Sequence, residues 1–137
     1  MRSLLLSAMF GLVLLTSCGL AEGKDAAEKV VAAMHQQFND ESYSDIYLSA
    51  DADFRRSTTL AAVTELLQAV HRKLGAFKSS DQTSANVFAS NSITTVTLVY
   101  DSTFAEGKAT EQFKFSISGG KAFLLAYNIN SPILILK

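Results

Sequence analysis

The chain has 137 residues, a formal net charge of −1, 48% hydrophobic residues and one proline, which fits one globular domain built around a single core. The near-neutral charge and the lack of a basic run argue against a nucleic-acid partner. Cys18 is the only cysteine, so the chain cannot form an internal disulfide.

The N-terminus has the order of a secretory signal peptide. Arg2 is followed by an apolar run, 4–15, and then by small residues. This run is too short for a permanent transmembrane helix, which needs about 20 apolar residues. We therefore predict a signal peptide over 1–17, a short tether over 18–24 and a single α+β domain over 25–137.

The sequence Leu15-Thr16-Ser17-Cys18 resembles the bacterial lipobox. The resemblance implies a diacylglyceryl group on the Cys18 thiol, cleavage before that residue and acylation of the new amino group, for example by palmitate. Two or three acyl chains anchor a protein stably. Gly19 in place of aspartate implies sorting to the outer membrane, on the side that faces the periplasm. The alternative is an ordinary secreted protein in which Cys18 has no role.

Three helices are predicted in the first half of the domain. Apolar residues at spacings of three and four predict a helix over 25–38. Ser42 is the expected N-cap of a short second helix, and 49–57 is expected to be a loop. A third helix should run from Thr58 or Thr59 to Leu74, ended by a left-handed cap at Gly75. Its expected buried stripe is Leu60, Val63, Leu67, Val70 and Leu74.

Four strands are predicted after Gly75, near 76–88, 92–100, 109–117 and 121–130, joined by turns at 89–91, 101–108 and 118–120. In the third strand, Phe113 and Phe115 should share one face and Lys114 the other. The fourth strand is apolar on both faces, so it should be central or covered on both sides. The apolar tail 132–136 either packs back on the domain or forms a surface for a homodimer or another partner.

The order of these elements resembles the nuclear-transport-factor-2-like, or cystatin-like, class, and within it small bacterial envelope proteins of unknown function. The residues that carry the resemblance are "FNDESYSDIYLSADADFRRSTT", the helix ending in "KLG", the strands and "AYNINS". The resemblance implies an α+β fold in which N-terminal helices pack on a curved four-stranded antiparallel sheet with a cone-like shape. Because this fold serves many functions, it assigns no activity.

A pocket between helices and sheet could place an acid and a tyrosine for general acid and base chemistry. The candidate pocket residues are Tyr43, Asp45, Tyr47 and Tyr127, although core or rim packing of Tyr43 and Tyr47 and a strengthened helix start at Asp45 are the simpler explanation. The two histidines, His35 and His71, are expected on separate helices at the edge of the core. No metal-ligand spacing is present, so we predict no metal site, no cofactor and no catalytic residue.

These features favour a non-enzymatic, lipid-anchored periplasmic domain that binds a protein partner or a small apolar ligand. One alternative is a small pocket enzyme of the isomerase or dehydratase type. A second is a periplasmic immunity or inhibitor lipoprotein, for which size and location fit but no motif speaks.

Overall fold

The computed structural model describes residues 18–136. The predicted signal peptide, 1–17, lies outside these residues. The described chain folds into four helices, a four-stranded sheet and a short final helix. Their bounds are α1 Cys18–Asn39, α2 Tyr43–Leu48, α3 Ala52–Ser57, α4 Leu60–Leu74, β1 Phe77–Ser90, β2 Ile93–Phe104, β3 Gly107–Ser118, β4 Lys121–Asn130 and α5 Pro132–Ile135.

The α+β prediction is confirmed. The strands form an antiparallel meander in the order β1-β2-β3-β4, and the helices precede the sheet, apart from α5. One face of the sheet packs against α1, and the core lies between them. The buried apolar residues of this core include Ala27, Val31, Met34, Phe38, Leu74, Val96, Leu98, Phe113, Phe115 and Leu124.

Helix α1 begins at Cys18, seven residues before the predicted start. Two glycines, Gly19 and Gly23, weaken the helix signal in this stretch. Packing overrides that weakness at Gly23, because a side chain there would meet Ile117 of β3 at 3.3 Å. The stretch 18–24, predicted as a tether, is therefore part of the helix that packs on the sheet.

Helix α3 falls where the sequence predicted a loop. Asp51 is its N-cap and accepts a hydrogen bond from the backbone N–H of Asp53. The backbone N–H of Asp51 also donates to the carbonyl oxygen of Leu124 at 2.9 Å. A tertiary contact with β4 thus holds a helix of only six residues, which is too short to leave a periodic apolar pattern.

Helix α4 agrees closely with its prediction. Thr59 caps its start by accepting from the backbone N–H of Ala62, and Gly75 ends it with φ of 73° and ψ of −165°. Four residues of the predicted stripe are buried, whereas Leu60, the first residue of the helix, is exposed.

Strand β4 is an edge strand, so of the two predicted alternatives, a central position or cover on both sides, the central position is wrong. Its apolar residues are nevertheless at least half-buried on both faces of the strand as far as Leu125. Ala122 and Leu124 are buried toward the core, while Phe123 and Leu125 are half-buried. The contact from Asp51 covers part of the free edge of the strand. The third strand follows its prediction, with Phe113 and Phe115 buried and Lys114 exposed.

The apolar tail packs back through α5. Ser131 caps this helix and donates its hydroxyl to the carbonyl oxygen of Lys108 at 2.6 Å. Ile133 and Leu134 are half-buried against the domain, but Ile135 and Leu136 are exposed. Among residues 18–136, no helix has the length and apolar character needed to cross a bilayer.

Candidate functional site

A polar cluster is buried between α1 and the sheet. Its centre is Glu111 on β3, only 2% exposed, and its other members are His35 of α1, Ser102 of β2 and Tyr127 of β4. Strand alternation explains this position, because Glu111 lies two residues before Phe113 and therefore on the same core-facing side. We call these four residues the Glu111 cluster.

Each carboxylate oxygen of Glu111 accepts hydrogen bonds from within the cluster. Oε2 lies 2.8 Å from Nε2 of His35 and 2.5 Å from the hydroxyl oxygen of Ser102. Oε1 accepts from the hydroxyl of Tyr127 at 2.7 Å. A carboxylate this deeply buried is tolerated only with several such partners.

The cluster controls the ionisation of its members. Burial alone would raise the pKa of Glu111, but the hydrogen bond and positive field of His35, with the bonds from Ser102 and Tyr127, lower it below its ordinary value. Burial raises the pKa of Tyr127 well above its ordinary value, and the nearby Glu111 charge raises it further. Glu111 is therefore the charged acceptor at neutral pH and Tyr127 the neutral donor.

Aromatic rings hold the His35 imidazole in place. It stacks on Phe77 with ring centroids 3.6 Å apart and an interplanar angle of 10°. The ring of Phe113 meets it edge-on at 5.8 Å. With the ring in this position, Nε2 faces Oε2 of Glu111.

This arrangement is suited to holding elements together. The hydroxyl of Ser102 donates to Glu111 and not to His35, so the cluster lacks the serine-to-histidine contact that activates a nucleophile. Glu111 is almost fully enclosed and both of its oxygens are occupied. The cluster joins α1 to β2, β3 and β4 through one carboxylate.

The four candidate pocket residues predicted from the sequence do not meet at one point. Tyr127 belongs to the Glu111 cluster. Tyr43 is buried, and its hydroxyl has no hydrogen-bond partner within residues 18–136; burial raises its pKa. Asp45 is exposed in the first turn of α2. Tyr47 donates its hydroxyl to the carbonyl oxygens of Arg55 and Thr58, so it fastens the α3 segment.

The histidines are placed differently from one another. His35, expected at the edge of the core, is buried in the Glu111 cluster, whereas His71 of α4 is half-buried and lies 3.8 Å from a carboxylate oxygen of Glu41. Sequence reasoning missed Glu111 and Ser102. The signal for Glu111 was its position on the apolar face of β3. The identity of its partner was not readable, because His35 lies 76 residues away.

An apolar groove opens between α4, α3 and β4. Its volume is about 290 Å³, which is close to the lower limit of about 300 Å³ for typical small-molecule sites. Ser57 and Thr58 are also lining residues, and Tyr127 links the groove to the Glu111 cluster. The apolar lining consists of Met34, Ile46, Phe54, Ala62, Val63, Leu66, Leu67, Leu124, Leu125 and Ala126.

Two wider depressions have a different character. One of about 810 Å³ lies between β2, β3 and α5 and includes Asp81, Asp101 and Lys108. Another of about 670 Å³ follows α1 and the start of β4 and includes Asp25 and Lys29. Charged side chains line both of them, so the smaller groove is the more apolar concave site.

The described residues contain no group of three or more histidine, cysteine, aspartate or glutamate side chains that could hold a metal ion. In comparisons with known proteins, no family model and no curated sequence matches the chain.

Proposed function

We propose that the protein is a non-enzymatic binding domain of the bacterial cell envelope, anchored by lipid at Cys18 and facing the periplasm from the outer membrane. In this proposal the groove between α3, α4 and β4 holds an apolar group of a protein partner or a small apolar ligand. The observation that carries the binding role is the apolar lining of the groove. The lipobox-like sequence before Cys18 supports the anchor.

Two different elements supply most of the apolar side chains of the groove. Leu124 and Leu125 come from β4, while Leu66 and Leu67 come from α4. Leu66 is nearly half exposed although it faces this concave site. Burying such a side chain under a ligand releases about 25 cal/mol per Å² of apolar surface, which favours an apolar occupant.

One observation favours the alternative of a small pocket enzyme. Tyr127 lines the groove and also donates to a buried acid, Glu111, which is the pairing used by some isomerases. The binding role is preferred because the Glu111 carboxylate is 2% exposed and its oxygens already accept from three partners. A ligand in the groove would meet the side chain of Tyr127 before it met the acid.

A tryptophan introduced into the groove tests whether a ligand binds there. Ala62 lines the groove and is exposed, while its neighbour Ala61 is exposed and lies outside the lining. We expect the apolar probe N-phenyl-1-naphthylamine to bind the unaltered protein and Ala61→Trp with enhanced fluorescence, and binding to weaken tenfold or more in Ala62→Trp, roughly 1.4 kcal/mol. Equal binding by the two variants would contradict a groove site.

The same pair of variants tests for a protein partner. Detergent-solubilised membranes are passed over each form, and captured proteins are identified by mass spectrometry. A partner of the groove should be retained by the unaltered protein and Ala61→Trp and lost with Ala62→Trp. Proteins retained equally by all three forms bind elsewhere and argue against the groove.

The anchor is tested separately. We expect Cys18→Ala to abolish incorporation of radiolabelled palmitate and to leave the precursor unprocessed on a gel. Unchanged processing and membrane partitioning in this variant would reject lipid attachment at Cys18.

A further inference from the structure

Three exposed apolar side chains lie at one end of the sheet. Phe88 and Ile93 are each 63% exposed, and Leu20 in the first turns of α1 is 48% exposed. Phe88 pairs with Thr95, and Ile93 pairs with Ser90, so both residues lie next to the turn that joins β1 to β2. We call this region the turn end.

The strand register and the path of α1 define the turn end. Thr94 pairs with Ile117, and Ser118 pairs with Lys121, so the β1–β2 and β3–β4 turns lie side by side. Helix α1 starts at this end as well, because Gly23 packs against Ile117. At about 1.5 Å per residue, Cys18 lies about 7.5 Å before Gly23 along the helix.

The hairpin at this end carries no charge. From Gln82 to Tyr100 the chain has no acidic, basic or histidine residue, whereas exposed edge strands are usually protected by charged side chains. Charges occur only around it. Glu22 and Asp25 of α1 and Lys121 at the start of β4 are exposed, so they form a mixed polar rim.

We infer that the turn end is a membrane-contact surface, in which Leu20, Phe88 and Ile93 enter the interfacial region of the leaflet that holds the lipid on Cys18. This inference rests on the proposed anchor. Its independent support is that three exposed apolar side chains lie at the end of the sheet where α1 begins. Exposed apolar clusters mark sites of membrane or protein contact, and the nearby lipid selects the membrane.

The start of α1 strengthens the inference. Residues 18–24 are helical and packed through Gly23, so a lipid on Cys18 would be attached to the folded domain without a flexible spacer. A rigid attachment brings one particular part of the domain to the bilayer. That part is the turn end, and the groove near Met34 then lies away from the bilayer.

Tryptophan fluorescence tests the contact, because the chain has no tryptophan. Ile93→Trp places the probe at the turn end. Ile135→Trp is the matched control, an isoleucine that is also highly exposed but lies in α5 at the opposite end of the sheet. Each full-length chain is produced in a lipidating bacterial host and reconstituted into phosphatidylethanolamine and phosphatidylglycerol vesicles with brominated acyl chains.

We expect I93W emission to fall roughly twofold or more on brominated vesicles, since interfacial side chains lie about 5–10 Å into the acyl boundary, and I135W emission to be unchanged. Absence of quenching in I93W overturns the contact, as does equal quenching in both variants. A blue shift of I93W that depends on protein concentration and not on bromine would indicate a second copy at this surface and would also overturn it.

Intact-mass measurement keeps the two proposals separate. A mature mass without the diacylglyceryl group rejects the native anchor, which is the proposed function. In that case the lone thiol of Cys18 is coupled to a maleimide phospholipid, and the quenching experiment then decides the contact surface by the same criteria.

Discussion

The two ends of the sheet are built in opposite ways. At the end where β1 starts, the side chain of Asn39 pairs with both the N–H and the carbonyl of Phe77, and Ile133 of α5 covers Gly107. At the turn end, Phe88 and Ile93 are left in solvent. The apolar strand residues are thus covered at one end and exposed at the turn end, although Ile135 and Leu136 at the end of α5 are exposed at the covered end as well. We call the covered end, together with the Glu111 cluster, the closed half, and we expect stability to be concentrated there.

The largest effect is expected in the closed half, at the Glu111 cluster. Glu111→Ala leaves His35, Ser102 and Tyr127 without their shared acceptor, so the free energy of unfolding should fall by about 3–5 kcal/mol. Urea denaturation of purified protein measures it. The control is Gln112→Ala, an exposed neighbour, which should change stability by less than about 0.5 kcal/mol. Similar losses in the two variants would refute a central role for the cluster.

Glycines at the two ends provide a matched comparison. Gly75→Ala at the closed end should lower the free energy of unfolding by about 2–3 kcal/mol, because its dihedral angles suit only glycine and an added Cβ would lie 2.9 Å from Cβ of Ala105. Gly119→Ala at the turn end meets no atom within 4 Å, so only left-handed strain of about 1 kcal/mol remains. Thermal unfolding would separate them, and an equal loss would contradict the contrast.

The pH dependence of stability should also originate in the closed half. The folded-state pKa of Glu111 lies below its ordinary value of 4.5, so the folded protein gains stability from the carboxylate above that pH and loses it as the pH falls through the folded pKa. Glu111→Gln should flatten this acidic part of the stability profile. Chemical denaturation at a series of pH values measures the slope, and an unchanged slope would show that other groups control acid unfolding.

The smallest effect is expected at the turn end. Phe88→Ser and Ile93→Ser remove side chains that are mostly in solvent, so each should change the free energy of unfolding by less than about 0.5 kcal/mol. Urea denaturation in the absence of membranes checks this. A loss above 1.4 kcal/mol, a factor of about ten in the folding equilibrium, would mean that these residues belong to the folding core and would weaken the contrast between the ends.

The sequence was sufficient for the elements with a strong period or a clear end signal. Period two located β3, the turn at 118–120 located the start of β4, and Gly75 located the end of α4. Asn91 and Ser92 form the first hairpin turn with positive φ, so β1 extends two residues further toward that turn than predicted, whereas β2 begins one residue later than predicted. Likewise β2 continues to Phe104, because pairing with β3 keeps the chain extended through Asp101.

Long-range contacts account for what the sequence did not reveal. The start of α1 depends on the packing of Gly23 against Ile117, and α3 depends on the bond from Asp51 to Leu124. Of the four candidate pocket residues, Tyr127 belongs to the buried cluster and lines the groove. Its acid partner is Glu111 and not Asp45, because strand pairing brings β3 beside β4 while α2 presents Asp45 to solvent.

The uninterrupted helix α1 also fixes the distance between Cys18 and the groove. Met34, which lines the groove, is sixteen residues after Cys18, a rise of about 24 Å along the helix. With lipid on Cys18, the rigid helix would hold the groove at one distance from the lipid headgroups. Binding partners within that layer would be selected by reach as well as by chemistry, and lengthening α1 by one turn would raise the groove by about 5.4 Å.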